Sequence, residues 1–301
     1  MRYALGTLRT FAMVAEMGSL TEAAEKLGRT PSTLSLALKT LEAEVGVPLF
    51  ESGRKNRLST AGQVVLAEAR ALLSHHERSV AAIRAFARNQ AGRVDLACVP
   101  SVATAVLPVM LPAFRDSHPG VEINVYDADS PSVARAVEMG QVAFGVASLR
   151  RARPELRFEP LFQEGLGIVC RSDDRLAKTK APVAWRDLRD RTFIGNGISR
   201  AIESPEFAAS IAEPSIVVYN VLSLLALVRT GVGITVLPQL SIAAWHEGLA
   251  FVPLSEPSAR RTVGLITRSI ERNSPAAGVF IDMFRGVLRE KASELDISIV
   301  G

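Results

Sequence analysis

The hydrophobic pattern of this chain changes near Gly92, and this change restricts the possible folds more than any other feature. Before Gly92, apolar residues mostly recur every three or four positions, which is typical of amphipathic helices. After it, short apolar runs alternate with helical stretches, which is typical of a sheet with helical connections. A chain of 301 residues can bury more than one core. The pattern predicts an α/β protein with a mainly helical N-terminal part.

Three short helices are predicted in residues 1–50, with clear start and stop signals. The first ends at Gly18, and the second begins with an S-x-x-E capping box at Ser19 and ends at Gly28. The third has Thr30 as its N-cap and Pro31 at the favoured first position. Two short helices joined by a turn that contains glycine form a helix-turn-helix.

A basic turn follows in residues 51–60, where Arg54, Lys55 and Arg57 surround a glycine and an asparagine. Such a hairpin is typical of a wing that contacts DNA phosphates. The sequence pI of about 9.3 also favours a polyanionic partner. Spacing alone leaves open a plain bundle of three short helices with a solvated basic turn.

A long helix is predicted over residues 61–90, ending at a hinge in residues 89–93. Its apolar positions step by three and four, which predicts a coiled-coil seam and a dimer. The alternative is an amphipathic helix that packs on its own chain. The predicted seam consists of Leu66, Ala69, Leu73, His76, Val80, Ile83 and Ala87.

The remaining chain predicts two lobes built from strands and helices. Predicted strands lie at 94–99, 121–126, 142–147, 166–171, 191–194, 216–219 and 234–237, and predicted helices at 103–115, 132–139 and 222–230. The order β-α-β-α-β indicates a parallel sheet with right-handed crossovers. Such sheets bind ligands beyond the carboxyl ends of their strands, so two lobes leave a binding cleft between them.

Small polar residues and glycines follow several of these strands. Hydroxyl, amide and glycine groups at helix starts suit a carboxylate or another anion. Each residue also has a purely structural interpretation, as a helix cap or a turn. The candidate effector-binding residues are Ser101, Thr104, Ser148, Gly195, Asn196, Gly197 and Asn220.

The sequence argues against an enzyme. Its four histidines show neither metal-ligand nor catalytic-triad spacing, so we expect no catalytic residue, no metal and no cofactor. Two cysteines, Cys98 and Cys170, exclude a disulfide framework and fit the reducing cytoplasm. Both lie in apolar strands, where buried packing is favoured over an oxidant-sensing role. Prolines interrupt the long uncharged run between Asp95 and Arg115, which argues against a membrane span.

Several longer stretches resemble the LysR-type transcriptional regulators. They are L-R-T-F-A-M-V-A-E-M-G-S-L-T-E-A-A-E-K-L, T-P-S-T-L-S-L-A-L-K-T-L-E, G-V-P-L-F and L-S-T-A-G within residues 8–62, and F-R-D-S-H-P-G and A-L-V-R-T-G-V-G-I-T-V-L-P further along. The resemblance implies a dimeric winged helix-turn-helix whose third helix enters the major groove. It also implies a C-terminal two-lobed domain like periplasmic solute-binding proteins, with the chain returning to the first lobe over residues 263–289.

The third helix offers few polar groups for reading bases. Many relatives carry polar residues where this chain has Pro31, Leu36 and Ala37, and an arginine near Ser52. We therefore expect phosphate contacts, half-site spacing and DNA shape to carry much of the specificity. The candidate DNA-binding residues are Thr30, Ser32, Thr33, Ser35 and Lys39 on the helix, and Arg54, Lys55 and Arg57 in the wing.

Together these patterns predict a cytoplasmic DNA-binding transcriptional regulator controlled by a small molecule. The predicted domains are 1–60 (winged helix-turn-helix), 61–90 (linker helix) and 93–301 (effector-binding domain, lobe I 93–162 and 263–301, lobe II 163–262). Expected partners are double-stranded DNA with a pseudo-palindromic operator, an organic acid as effector, a second copy in a homodimer or homotetramer, and RNA polymerase if the protein activates. The alternatives are a solute-binding protein, which would need an export signal, and a redox regulator acting through Cys98 and Cys170.

Overall fold

The structure, a computed structural model, describes residues 4–51, 54–87, 92–179, 181–211, 213–243, 247–269 and 273–300. Side chains are described for these residues except 54–56, 78 and 81–87. Residues 89–91 of the predicted hinge (89–93) and Ser52 lie outside them. The chain divides into two compact units, Met1–Asn89 with Glu138–Gln141, and Gln90–Val137 with Val142–Gly301.

The first unit contains the three predicted helices, α1 (Leu5–Met17), α2 (Leu20–Leu27) and α3 (Pro31–Val45). The Ser19 hydroxyl accepts a hydrogen bond from the backbone N–H of Glu22 at 3.3 Å, and the Thr30 hydroxyl accepts one from Thr33 at the same distance. Gly18 and Gly28 follow their helices in the left-handed conformation, with φ of 65° and 62°. The predicted N-caps and helix ends are therefore confirmed, and of the predicted capping box the structure shows the bond to Ser19.

A strand pair and a long helix complete this unit. Strands β1 (Phe50–Glu51) and β2 (Arg54–Leu58) form an antiparallel hairpin, and α4 (Thr60–Ala87) follows at once. Gly62, at the start of α4, lies against the turn before the hairpin. A Cβ atom on Gly62 would stand 1.9 Å from the Leu49 carbonyl oxygen, so only glycine allows this approach.

Helix α4 packs on its own unit over its first turns. Ala69 is buried in the core with Leu8, Phe11 and Leu34, and Leu66 packs beside it. The predicted seam is thus wrong for Ala69, which the N-terminal core buries, while Leu66 is half-buried against the same core. His76, also placed in the seam, is exposed, and the side chains of residues 83 and 87 lie outside the described set.

The second unit begins with a parallel sheet. Strand β3 (Arg93–Cys98) lies between β4 (Glu122–Asp127) and β5 (Phe144–Ala147) and is parallel to both. Helices α5 (Pro100–Ala105), α6 (Leu107–Ser117) and α7 (Ser130–Glu138) connect these strands. The single helix predicted at 103–115 is therefore two helices. Pro108 has no N–H to continue the helical ladder, so the chain breaks near Val106.

Strand β6 (Leu156–Arg171) is longer than predicted and passes through both lobes. Its first part pairs antiparallel with β11 (Arg260–Arg268), and its last part pairs antiparallel with β9 (Thr235–Pro238) and β10 (Leu249–Pro253). The expectation of a parallel second sheet is wrong for these strands. The short β7 (Ile194–Gly195) and β8 (Ile216–Val217) are parallel.

The second lobe also contains α8 (Arg175–Thr179), α9 (Pro205–Ser210), α10 (Val221–Arg229) and 3-10 turns at Trp185–Leu188, Ser199–Ala201 and Gln239–Ile242. The chain then returns to the first lobe through β11, α11 (Pro275–Lys291) and β12 (Ser298–Ile299). Phe280 of α11 contacts Phe114 and Phe144, with ring centroids 5.0 and 5.9 Å apart. This return agrees with the expectation drawn from the resemblance.

Across the described part of the chain, none of the helices combines the length and the apolar character that crossing a membrane requires.

Candidate DNA-contacting surface and effector site

Helix α3 has one buried and one exposed side. Leu34, Leu38 and Leu41 are buried in the core of the first unit. The predicted contacts Ser32, Thr33 and Lys39 are exposed, as is the cap Thr30, while Ser35 is half-buried. Lys39 makes no ion pair with any side chain that the structure describes. The exposed side is therefore open to a partner.

The hydroxyl groups at the start of α3 form a small cluster. The Thr30 Oγ1 atom lies 2.9 Å from the Ser32 Oγ and 2.8 Å from the Thr33 Oγ1. A hydroxyl can donate once and accept twice, so the Thr30 hydroxyl, which also accepts from the Thr33 N–H, is fully used, whereas the Ser32 and Thr33 hydroxyls keep unused capacity. The cluster fixes the three side chains beside the helix N-terminus.

The hairpin carries the predicted wing residues on β2. The Arg57 side chain is 67% exposed, and its Nε lies 3.3 Å from a Glu51 carboxylate oxygen. Arg54 and Lys55 also lie on β2, but their side chains are outside the described set. An ion pair as exposed as Arg57 with Glu51 is weak, so the guanidinium can exchange its partner for a phosphate.

Sequence reasoning missed two exposed residues of this surface. Leu36 lies in the middle of the exposed side of α3 and is 66% exposed. Arg29 is exposed one residue before the Thr30 cap. The signal for Leu36 was present, because it falls outside the three- and four-residue spacing of the buried leucines.

The candidate effector residues of the first lobe are all hydrogen-bonded. Ser101, at the start of α5, is buried and accepts from the Arg261 Nη2 at 2.5 Å. The Thr104 hydroxyl donates to the Pro100 carbonyl at 2.9 Å, a bond within its own helix. The Ser148 hydroxyl donates to the carbonyl of Thr262 on β11 at 2.7 Å. Ser101 and Ser148 thus both contact neighbouring residues of the same returning strand.

The candidates of the second lobe have largely structural contacts. The buried Asn196 amide donates to Thr235 Oγ1 at 2.8 Å and to the Val236 carbonyl at 2.9 Å, and its oxygen accepts from two backbone N–H groups at 2.7 and 2.9 Å. This uses the whole hydrogen-bonding capacity of the amide. Asn220 caps α10 by accepting from Ser223 at 3.0 Å.

The two glycines beside Asn196 differ in their surroundings. A Cβ on Gly195 would lie 2.7 Å from Pro214, whereas a Cβ on Gly197 would meet nothing within 4 Å. Gly195 is therefore required by packing. Gly197 is the one of the pair with open space around it.

A charged network that the sequence did not predict lies where the lobes join. On the paired strands β6 and β11, Glu164 stands directly opposite Arg261. The Arg261 Nε and Nη2 donate to one Glu164 oxygen at 2.9 and 2.7 Å, and the backbone N–H of Leu240 donates to the other at 3.1 Å. The Glu164 side chain is 0% exposed and that of Arg261 is 14% exposed. Through Ser101 the network also reaches helix α5.

A second ion pair connects the lobes at an exposed position. Arg150, which follows β5, donates through Nη2 to Glu203 of the second lobe at 2.5 Å. Among the described residues, the buried hydrogen bond from Arg261 to Ser101 and the exposed ion pair between Arg150 and Glu203 thus both link the lobes.

Two family models match this chain. One, described as the LysR substrate binding domain, matches residues 87–289, and the other, described as the bacterial regulatory helix-turn-helix protein of the lysR family, matches residues 5–63. The chain belongs to the LysR family of transcriptional regulators. It is a DNA-binding regulator with an effector-binding domain and is not an enzyme.

Relatives of this LysR-type regulator cover most of its length. The uncharacterized HTH-type transcriptional regulator YbhD of Escherichia coli (strain K12) is 28% identical, over 100% of this chain and 96% of that protein. The Hca operon transcriptional activator HcaR of the same organism is 30% identical over 77% of this chain and 80% of that protein. The crystal structure of CbnR, a LysR family transcriptional regulator, shares the fold with a TM-score of 0.70 at 22% identity, covering 95% of this chain and 99% of that one.

The two cysteines of this LysR-type regulator are buried and free. Burial raises the pKa of the Cys98 thiol to about 12 and that of the Cys170 thiol to about 11. Because the thiolate is the reactive form, burial and a raised pKa both disfavour reaction of these thiols at neutral pH. The alternative of a redox regulator therefore has no support here. The alternative of a solute-binding protein has none either, because it leaves the helix-turn-helix unexplained.

Proposed function

We propose that this LysR-type regulator binds a pseudo-palindromic operator in the cytoplasm as a homodimer or homotetramer, and that a small organic acid controls this binding. The DNA surface comprises the exposed side of α3 and the wing. Its proposed contacts are Thr30, Ser32, Thr33, Ser35, Lys39, Arg54, Lys55 and Arg57. CbnR supports this use of the fold, since its full-length structure complexed with target DNA matches this chain with a TM-score of 0.70.

We further propose three domains with the limits predicted from the sequence: 1–60, 61–90 and 93–301. Pairing of two copies would use the apolar side chains that α4 leaves exposed. Among the described side chains of α4 the large ones are Val64 and Leu72, which lie just over two turns apart along the helix and about 80° apart around its axis. Two copies joined in this way present two α3 helices to two half-sites. Contact with RNA polymerase is expected only if the regulator activates transcription.

Arg261 is the observation that supports an acidic effector. Its Nε and Nη2 are held by the buried Glu164 and by Ser101, while Nη1 donates to no described group. The guanidinium is therefore fixed on one edge and free on the other. Charge-assisted hydrogen bonds from a fixed guanidinium are among the stronger polar contacts to a carboxylate.

Ser101 supplies a second donor for the same ligand. Its oxygen accepts from Arg261, which leaves its own hydrogen free to donate. Ser101 is almost fully buried in this structure, so the acid can enter only when the lobes separate. Binding then favours the arrangement of the lobes that holds the acid over the arrangement that does not. This shift in the populations of the two arrangements alters DNA binding.

Replacing Arg261 with glutamine is expected to weaken binding of the effector acid by about tenfold to a hundredfold, because one charge-assisted contact is lost. A panel of small carboxylic acids is first screened for stabilisation of the wild-type chain, and the dissociation constant of each hit is measured by calorimetry. Arg261→Lys retains the charge opposite Glu164 and separates loss of binding from loss of folding.

Arg285→Gln is the matched control, since Arg285 also pairs with a carboxylate, Glu159, at 2.8 Å but lies on α11. It should leave acid binding unchanged. Equal affinity of the wild type and Arg261→Gln, or equal binding of an acid and its neutral amide, would overturn the effector site proposed at Arg261.

A further inference from the structure

Leu36 occupies the centre of the exposed side of α3. It lies about 200° around the helix axis from both Leu34 and Leu38, because each residue turns an α-helix by about 100°. Those two leucines are buried, whereas Leu36 is 66% exposed. Packing within the first unit therefore does not account for a leucine at this position.

The side chains around Leu36 are polar or small. Thr33 lies one turn before it, and Lys39, Thr40 and Ala43 lie one to two turns after it. The Thr40 hydroxyl donates to the Leu36 carbonyl at 3.0 Å, and the Thr33 hydroxyl bonds the Thr30 cap. Leu36 is thus the large apolar group of a surface whose hydroxyls already have local partners.

The charge near Leu36 indicates what kind of partner covers it. Lys39 is exposed on the same side of α3, Arg29 is exposed beside its N-terminus, and the wing adds Arg57 in the same unit. A basic surround fits a polyanion better than an apolar protein groove or a lipid surface. On a nucleic acid, the group complementary to an apolar side chain is an apolar group of a base.

We propose that Leu36 contacts the 5-methyl group of a thymine in the major groove and selects for thymine at one position of each half-site. Thymine presents the one methyl group of the four bases in that groove, and apolar side chains are its usual partners. This inference rests on the proposed entry of α3 into the major groove. It assigns base specificity to a residue that has no hydrogen-bonding side chain.

The test removes the methyl group without changing base pairing. Duplexes that carry the footprinted operator are made with deoxyuridine in place of each thymidine in turn, at matched positions of both half-sites. The wild type is expected to lose about fourfold in affinity for each methyl removed, hence about fifteenfold for both half-sites, at one thymidine position. The Leu36→Ala variant should bind the thymidine duplex and the deoxyuridine duplex with equal affinity.

Leu36→Ala is expected to fold normally, since alanine is the best helix former and the site is exposed. Circular dichroism checks this. Leu5→Ala, at another exposed apolar residue of the first unit, is the control and should keep the wild-type preference for thymidine. A wild type that is indifferent to every substitution, or a Leu36→Ala chain that keeps the preference, would overturn the proposal. Failure of the wild type to bind any operator would instead overturn the DNA surface itself.

Discussion

Replacing Arg54 and Arg57 together with alanine is expected to lower operator affinity by about 10³-fold near 0.1 M salt and to flatten its salt dependence. Each phosphate contact contributes about 0.9 to the slope of log K against log salt, so two contacts in each of two protomers account for about 3.6. The measurement is a series of binding titrations between about 50 and 200 mM salt.

The control for this variant removes two arginines elsewhere. Arg135 and Arg175 are both exposed in the second unit, and their double alanine variant should retain the wild-type slope. An unchanged slope in the Arg54 and Arg57 variant would show that the wing does not contact phosphates. Glu51→Gln gives the opposite test, because it removes the carboxylate that pairs with Arg57 and should strengthen binding.

Replacing Glu164 with alanine is expected to lower the free energy of unfolding of the second unit by about 3–5 kcal/mol, because Arg261 would be left with little solvent and no counter-charge. Urea unfolding monitored by circular dichroism measures this change. The exposed ion pair between Arg150 and Glu203 provides the comparison. Glu203→Ala removes the carboxylate that pairs with Arg150 and should have little measurable effect, since both side chains are largely solvated.

A double variant shows whether the loss of stability comes from breaking the buried ion pair or from a loss of packing. Glu164→Leu combined with Arg261→Met removes both charges and should regain most of the stability, because an apolar pair of similar volume often replaces a buried ion pair without loss. If Glu164→Ala unfolds at the wild-type urea concentration, the ion pair does not hold the crossover strands together. If the double variant is as unstable as Glu164→Ala, the loss arises from packing.

The first unit could be predicted closely because its signals are local. Ser19 and Thr30 bond backbone groups three residues away, and Gly18 and Gly28 take the left-handed conformation that ends each helix. These interactions are encoded within one turn of sequence. What the apolar face of α4 packs against was harder to predict. A heptad pattern is the same whether the helix packs on a partner helix or on the core of its own chain.

The junction of the lobes could not be predicted, because its contacts join distant parts of the sequence. Arg261 is 97 residues from Glu164 and 160 from Ser101. Strand β6 was only partly found, since polar residues and Pro160 interrupt its apolar pattern where it crosses between lobes. Asn196 shows the opposite difficulty: its position after a strand suggested a ligand contact, yet its amide bonds are all satisfied within the chain.

An acid bound at Arg261 is expected to control DNA binding, and footprinting measures both events on the same DNA. The purified full chain is footprinted on the DNA that flanks its own gene, with and without an acid that stabilises the wild type. We predict a protected region with two half-sites about one helical turn apart whose pattern changes with the acid. Arg261→Lys should protect the same region without responding to the acid at that concentration. Absence of any protection by the wild type would show that the chain does not bind this DNA, and a footprint that an acid of measured affinity leaves unaltered would show that the acid does not control binding.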